Sequence, residues 1–81
     1  MKMLDLITAR FPDEKFLIAD GYDEAVIGFD TESLRLIYDV AKMVDILSDT
    51  MTRDEALEFL EFNTFSAYLG EKTPIYMETL S

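Results

Sequence analysis

The sequence predicts an α+β fold, in which a short N-terminal helix precedes a small antiparallel sheet packed by two helices. Three features carry that expectation. Short apolar runs separated by turn residues fill positions 16–38. The pattern switches to a helical period at Asp39, and the stretch from Thr52 to Pro74 is punctuated as a helix at both ends. The 81 residues, 49% of them apolar, make a single small domain spanning 1–81. A chain of this size buries only about 60–65% of its unfolded surface, so the core is modest. With no cysteine in the sequence, disulfides cannot reinforce it, and association with another chain is the substitute open to it.

At the N-terminus, Met3, Leu4, Ile7 and Phe11 recur at helical spacing, with Leu6 and Ala9 widening the stripe, which predicts a helix over 2–10. Phe11 precedes Pro12 and is pushed toward extended geometry, so the helix stops there and residues 12–15 turn. Phe16-Leu17-Ile18-Ala19 is predicted as a first strand, followed by a loop from Asp20 to Glu24. Residues 25–29 form a second, in which Gly28 marks a bulge or a close approach by another backbone. After the turn Asp30-Thr31-Glu32-Ser33, residues 34–38 alternate as a third strand, giving a three-strand antiparallel meander. Ile75-Tyr76-Met77 is expected to add a C-terminal strand, with Pro74 at its start where a missing N–H matters least, and Glu78 onward to fray.

Asp39 is placed to cap a helix running to Leu47, whose Val40, Met43, Val44 and Leu47 stripe opposes Lys42, Asp45 and Asp49. The short link from Ser48 to Met51 makes the next helix an antiparallel or sharply angled neighbour. That helix opens on a Thr52/Glu55 capping box and is expected to run to Gly70, a left-handed stop, with Pro74 beyond. About eighteen residues at 1.5 Å each make it roughly 27 Å long. Ala56, Phe59, Leu60, Asn63 and Ala67 share one face, Asp54, Glu58 and Glu61 lie opposite, and Phe62, Phe65 and Leu69 fall between. Asn63 is the one polar member of its face. It reads as a structural residue satisfied by backbone, with partners sought in the segment after Gly70, rather than as a ligand contact.

Charge is the strongest compositional signal: 17 acids against seven bases give −10 at pH 7. Such a surface repels phosphate backbones, so direct nucleic-acid binding is disfavoured. It serves solubility, and it also offers an acidic face to a basic partner. The absence of histidine and cysteine removes zinc, thiolate and Ser-His-Asp chemistry. The segment after Met1 lacks the apolar run of a signal peptide or membrane span, so a soluble, cytoplasmic protein is expected.

Asp20, Asp23, Glu24 and Asp30 are hard oxygen donors for a divalent cation, but their spacing does not match a calcium-binding loop, and a solvated turn accounts for them. Glu58 and Glu61, one helical turn apart, are suited to acid–base work only if one is desolvated. Gly21, Gly28 and Gly70 form no phosphate-cradling loop. No catalytic residue, cofactor or metal site is therefore assigned, and the chain reads as non-enzymatic.

The order Ala19-Asp20-Gly21-Tyr22-Asp23-Glu24-Ala25-Val26-Ile27-Gly28, then Leu36-Ile37-Tyr38-Asp39, then Met51 with Glu55-Ala56, Glu61-Phe62-Asn63, and Ala67-Tyr68 with Gly70-Glu71 and Thr73-Pro74, resembles a group of small bacteriophage and prophage proteins. The likeness covers most of residues 19–75. It implies a setting, the cytoplasm of a phage-infected bacterium, and brings no activity with it. The group tends to carry a small residue where this chain has Ser66, which implies close packing there.

Two classes of function follow. One is an acidic accessory protein that binds and modulates a host protein, with Asp20, Asp23, Glu24, Asp54, Glu58 and Glu61 as the interaction surface. Its special case is a DNA mimic, whose carboxylates occupy the groove of a nucleic-acid-binding host protein. The other is a self-assembling homo-oligomer joined through Phe62, Phe65, Tyr68 and Leu69.

Overall fold

The computed structural model describes residues 2–79. The class is α+β, and the N-terminal helix is present as α1 (Met3–Arg10), which buries Leu4 and Ile7 and ends where Phe11 leaves helical geometry ahead of Pro12. Phe11 then packs edge-on against Phe16 and Phe29, with ring centroids 6.3 and 5.2 Å away, tying the end of α1 to the sheet.

The sheet has three strands in the order β1 (Val26–Phe29), β2 (Leu36–Asp39), β3 (Ile75–Met77). The first two pair antiparallel, and β3 lies parallel to β2 with Tyr38 opposite Tyr76. The antiparallel meander of the sequence reading is therefore corrected to a mixed sheet. Phe16-Leu17-Ile18-Ala19 is not a strand. Its Ala19 N–H is taken by a side chain instead of a ladder, donating to the Tyr38 hydroxyl at 2.8 Å. Ala25 belongs to a short 3₁₀ turn, Asp23–Ala25, that feeds β1.

Leu34 also leaves its expected strand. It adopts a left-handed φ of 58° and closes the hairpin by donating its N–H to the Asp30 carbonyl at 2.8 Å. The Asp30 carboxylate holds the turn from within, accepting the Ser33 N–H at 3.1 Å as well as its hydroxyl. A bulge falls between Val26 and Gly28, as the glycine suggested, and the space that a side chain at Gly28 would enter is open.

Helix α2 (Val40–Leu47) is built as its stripe predicts: Val40, Met43 and Val44 are buried, and the Asp39 carboxylate caps it by accepting the Ala41 N–H at 3.0 Å. Helix α3 (Arg53–Leu60) follows after a short link and packs against α2. Its capping box is complete, with Thr52 and Glu55 exchanging bonds of 2.9 and 3.2 Å.

The long helix does not reach Gly70. After Leu60 the chain widens into a π-helical turn, Glu61–Phe65, and residues 67–69 are irregular. Two side chains in this stretch bond carbonyls one turn back, Asn63 to Phe59 at 3.0 Å and Ser66 to Phe62 at 3.2 Å. Beyond Ser66 the chain enters a loop centred on Thr73. Its hydroxyl accepts the Leu69 N–H at 2.8 Å and donates to the Gly70 carbonyl at 2.7 Å. Gly70, at φ 108°, serves this turn rather than a helix cap. Arg35 donates to the Thr73 carbonyl, and Lys72 donates to the Ser33 carbonyl at 2.6 Å, fastening the loop to the β1–β2 hairpin.

The core gathers Leu4, Ile7, Ala25, Val26, Leu36, Tyr38, Met43, Ala56 and Leu60, with Tyr38 and Leu36 among its largest fully enclosed side chains. Tyr38, Tyr76 and Phe65 stand in a row, with successive centroids 5.8 and 4.8 Å apart, joining the π turn to the sheet. Glu78 and Thr79 are exposed and irregular, and residues 80–81 lie outside the described residues.

Candidate functional site

Helix α3 turns only a narrow face inward, with Ala56 and Leu60 fully buried. Leu57 flanks that face and is half-buried against the core, while the opposite side of the helix is outside. Asp54, Glu58 and Glu61, at i, i+4 and i+7, form one exposed stripe. Glu55, Phe59 and Phe62 form the adjacent stripe, also exposed. The spacing of Phe59 with Ala56 and Leu60 puts it on the inward face, but it lies at the edge of that face and is 41% accessible. Phe62 is 74% accessible, far more than a packed aromatic.

Beside these stripes lies an open depression of about 490 Å³, lined by Thr50 and Met51 from the α2–α3 link and by Glu55, Glu58, Phe59, Phe62 and Asn63. Asn63 also borders a second hollow, shared with Ile18, Asp20, Ala67 and Leu69. The asparagine is exposed between the two, and its amide is used on the Phe59 carbonyl of its own helix. Its expected partners beyond Gly70 are thus corrected to one within the helix, a local bond that needs no distant loop. Ser66 is likewise exposed, so the close packing implied for it is not found.

Among the remaining acidic residues, the structure brings Asp20 to the Asn63 hollow but leaves Glu24 elsewhere engaged, 3.3 Å from the Lys2 ammonium at the start of α1. The hydrogen bond to Glu24, and its charge, raise the Lys2 pKa above its usual value. Asp23 opens the 3₁₀ turn, half-exposed. The Asp20, Asp23, Glu24 and Asp30 run does not converge: Asp30 is committed to Ser33, whose hydroxyl and N–H hold its carboxyl below the ordinary range. Among the described residues no group of three or more carboxylates is arranged to hold a metal ion. Glu55 is also held low, chiefly by the Thr52 N–H.

The apolar contact Phe62, Phe65, Tyr68 and Leu69 divides. Tyr68 and Leu69 are 78% and 62% accessible, but Phe65 packs at a tilt against Tyr76 and belongs to the core edge. The exposed aromatic surface is therefore Phe59, Phe62 and Tyr68 with Leu69. Sequence spacing hid Phe59 from this set, although a helix whose inward centre lies between Ala56 and Leu60 leaves that position at its rim.

No family model, no curated protein and no solved structure matches this chain. Among the described residues no helix is long and apolar enough to cross a membrane.

Proposed function

We propose that the protein is a non-enzymatic interaction module, a small acidic phage accessory protein that binds and modulates a host protein in the bacterial cytoplasm. One observation carries the binding role: the acidic stripe Asp54, Glu58, Glu61 runs beside the exposed aromatics Phe59 and Phe62 along α3 and the π turn that continues it. Aromatic side chains are the groups most often found at the energetic centre of protein contacts, and an acidic border selects a basic counterpart. The phage setting rests on the sequence resemblance.

A second reading is favoured by the exposed Phe62, Tyr68 and Leu69, which suit contact between copies of the chain. Against it stands like charge: two copies meeting at α3 bring Asp54, Glu58 and Glu61 toward the same set on the partner, each chain carrying −10.

Affinity capture from bacterial host lysate tests the proposal, using wild type and the double variant Glu58→Lys, Glu61→Lys. A specific host protein should be retained by wild type, lost on charge reversal, and released as salt rises. Retention that survives both reversal and high salt refutes an acidic docking face. Sedimentation that gives a stable homo-oligomer, lost in Phe62→Ser, favours the second reading.

A further inference from the structure

We infer that the partner presents a basic amphipathic helix, seated lengthwise on α3 with its apolar side chains over Phe59 and Phe62 and its lysines or arginines over Asp54, Glu58 and Glu61. This rests on the proposed binding role and names the chemistry of the occupant.

The shape of the surface supports a helix. Residues 54, 58 and 61 form one ridge, and residues 55, 59 and 62 form another beside it. Side chains at i, i+4 and i+7 make a continuous strip along one side, the kind of surface that a second helix lies against. An extended segment has less to gain here, because the N–H and C=O groups of α3 are spent within the helix and offer no row for strand addition. The depression of about 490 Å³ beside the aromatic ridge gives large apolar side chains a place to sink, with Met51 and Thr50 at one end and Asn63 at the other. The π turn begins at Glu61, so the last members of both rows, Glu61 and Phe62, stand on backbone with more residues per turn, a feature frequent at functional sites.

Charge selects the occupant. Anionic lipid and nucleic acid are repelled by the acidic ridge, and a second copy brings the same −10. A basic helix meets both ridges at once. Its cations pair with the carboxylates, while its apolar side covers the rings, removing water from aromatic surface that the fold leaves exposed.

The test uses a fluorescein-labelled, leucine- and lysine-containing amphipathic helical peptide, read by anisotropy. Two comparison peptides accompany it, one with the lysines replaced by glutamates and one of the same composition scrambled to break the amphipathic period. The lysine peptide should bind, and the other two should bind at least about tenfold more weakly, a tenfold change being about 1.4 kcal/mol. Phe62→Ser alters a side chain that supports little of the core, and a circular-dichroism spectrum like that of wild type is the check that this variant folds. It should weaken the lysine peptide at least about tenfold, as truncation of a central aromatic does. Glu58→Lys with Glu61→Lys should do the same. Asp13→Lys with Glu32→Lys, an equal change in net charge at exposed sites in other loops, should change affinity less than about twofold.

Equal losses from the two charge pairs reduce the effect to overall attraction and overturn the seat. So does a Phe62→Ser variant that binds like wild type, or a scrambled peptide as good as the ordered one. If the lysine peptide fails while host capture still depends on Glu58 and Glu61, this occupant is wrong and the binding role stands. If capture is indifferent to those acids, the binding role falls as well.

Discussion

The Tyr38 hydroxyl accepts the Ala19 N–H in a place where the backbone has no strand partner, so one side chain substitutes for a missing ladder. Replacing it in Tyr38→Phe leaves that half-buried amide unpaired while keeping the ring. A loss of about 1–3 kcal/mol is expected, with urea denaturation as the measure and faster hydrogen exchange at Ala19 as the local sign. Glu55 makes a second residue-scale case. Its carboxyl is held below the ordinary range by the Thr52 N–H, so its contribution is present above the unfolded carboxylate pKa and is lost as pH falls through the lower folded value. The melting-temperature gap between wild type and Glu55→Ala should therefore be constant near neutrality and narrow in acid, below the usual glutamate range. A gap that stays constant down to that range and beyond it removes the charged form from the cap. The Asp30 carboxyl, held low by Ser33, is lost in the same direction.

At the scale of elements, Gly70 and Gly28 make opposite predictions. Gly70 sits at φ 108°, so a side chain there strains the backbone whatever the room around it; Gly70→Ala should cost about 1–3 kcal/mol in thermal or urea unfolding. Gly28 has ordinary φ and open space, so Gly28→Ala should be neutral or stabilise by about 0.4–1 kcal/mol. That contrast also marks what could be read in the sequence. Both glycines were legible as special positions, and the bulge at Gly28 was found. So were both helix caps, Asp39 and the Thr52/Glu55 box, because capping is local and residues three apart suffice to specify it. The end of α3 was not. Gly70 and Pro74 are ordinary stop signals, but helical geometry ends by Ser66, and the stretch beyond it joins a loop through Thr73, a contact that only the fold brings within reach. The strand expected at residues 16–19 failed for a related reason. Its apolar content is real, and Phe16 does pack on Phe11, but nothing in a local run says whether a ladder partner stands alongside. The acids of α3 were placed correctly on an exposed stripe; the aromatic stripe next to them was half hidden, since Phe59 shares its spacing with buried Ala56.

For the whole molecule, charge and size act together. Seventeen acids and seven bases are spread over a small chain, and only two ion pairs occur among the described residues, Lys2–Glu24 and Lys72–Glu14. Self-repulsion thus opposes folding throughout the surface rather than at one site. Raising salt from about 0.01 M to about 0.15 M shortens the screening length from roughly 30 Å to roughly 8 Å, and the melting temperature should rise over that range. A fall would mean that the two ion pairs outweigh the general repulsion. Binding of a basic partner offsets the same repulsion, so partner and salt should stabilise the fold in the same direction.

The parallel pairing of β2 with β3 has a temporal consequence. Ile37 is synthesised well before Ile75, its neighbour in the sheet. Until then one margin of the central strand carries unmet amide and carbonyl groups, and any extended segment nearby is a rival for them. Final closure must wait for the last stretch to emerge, which makes nascent-chain termination just before Pro74 the cut most apt to yield a sticky, half-made product.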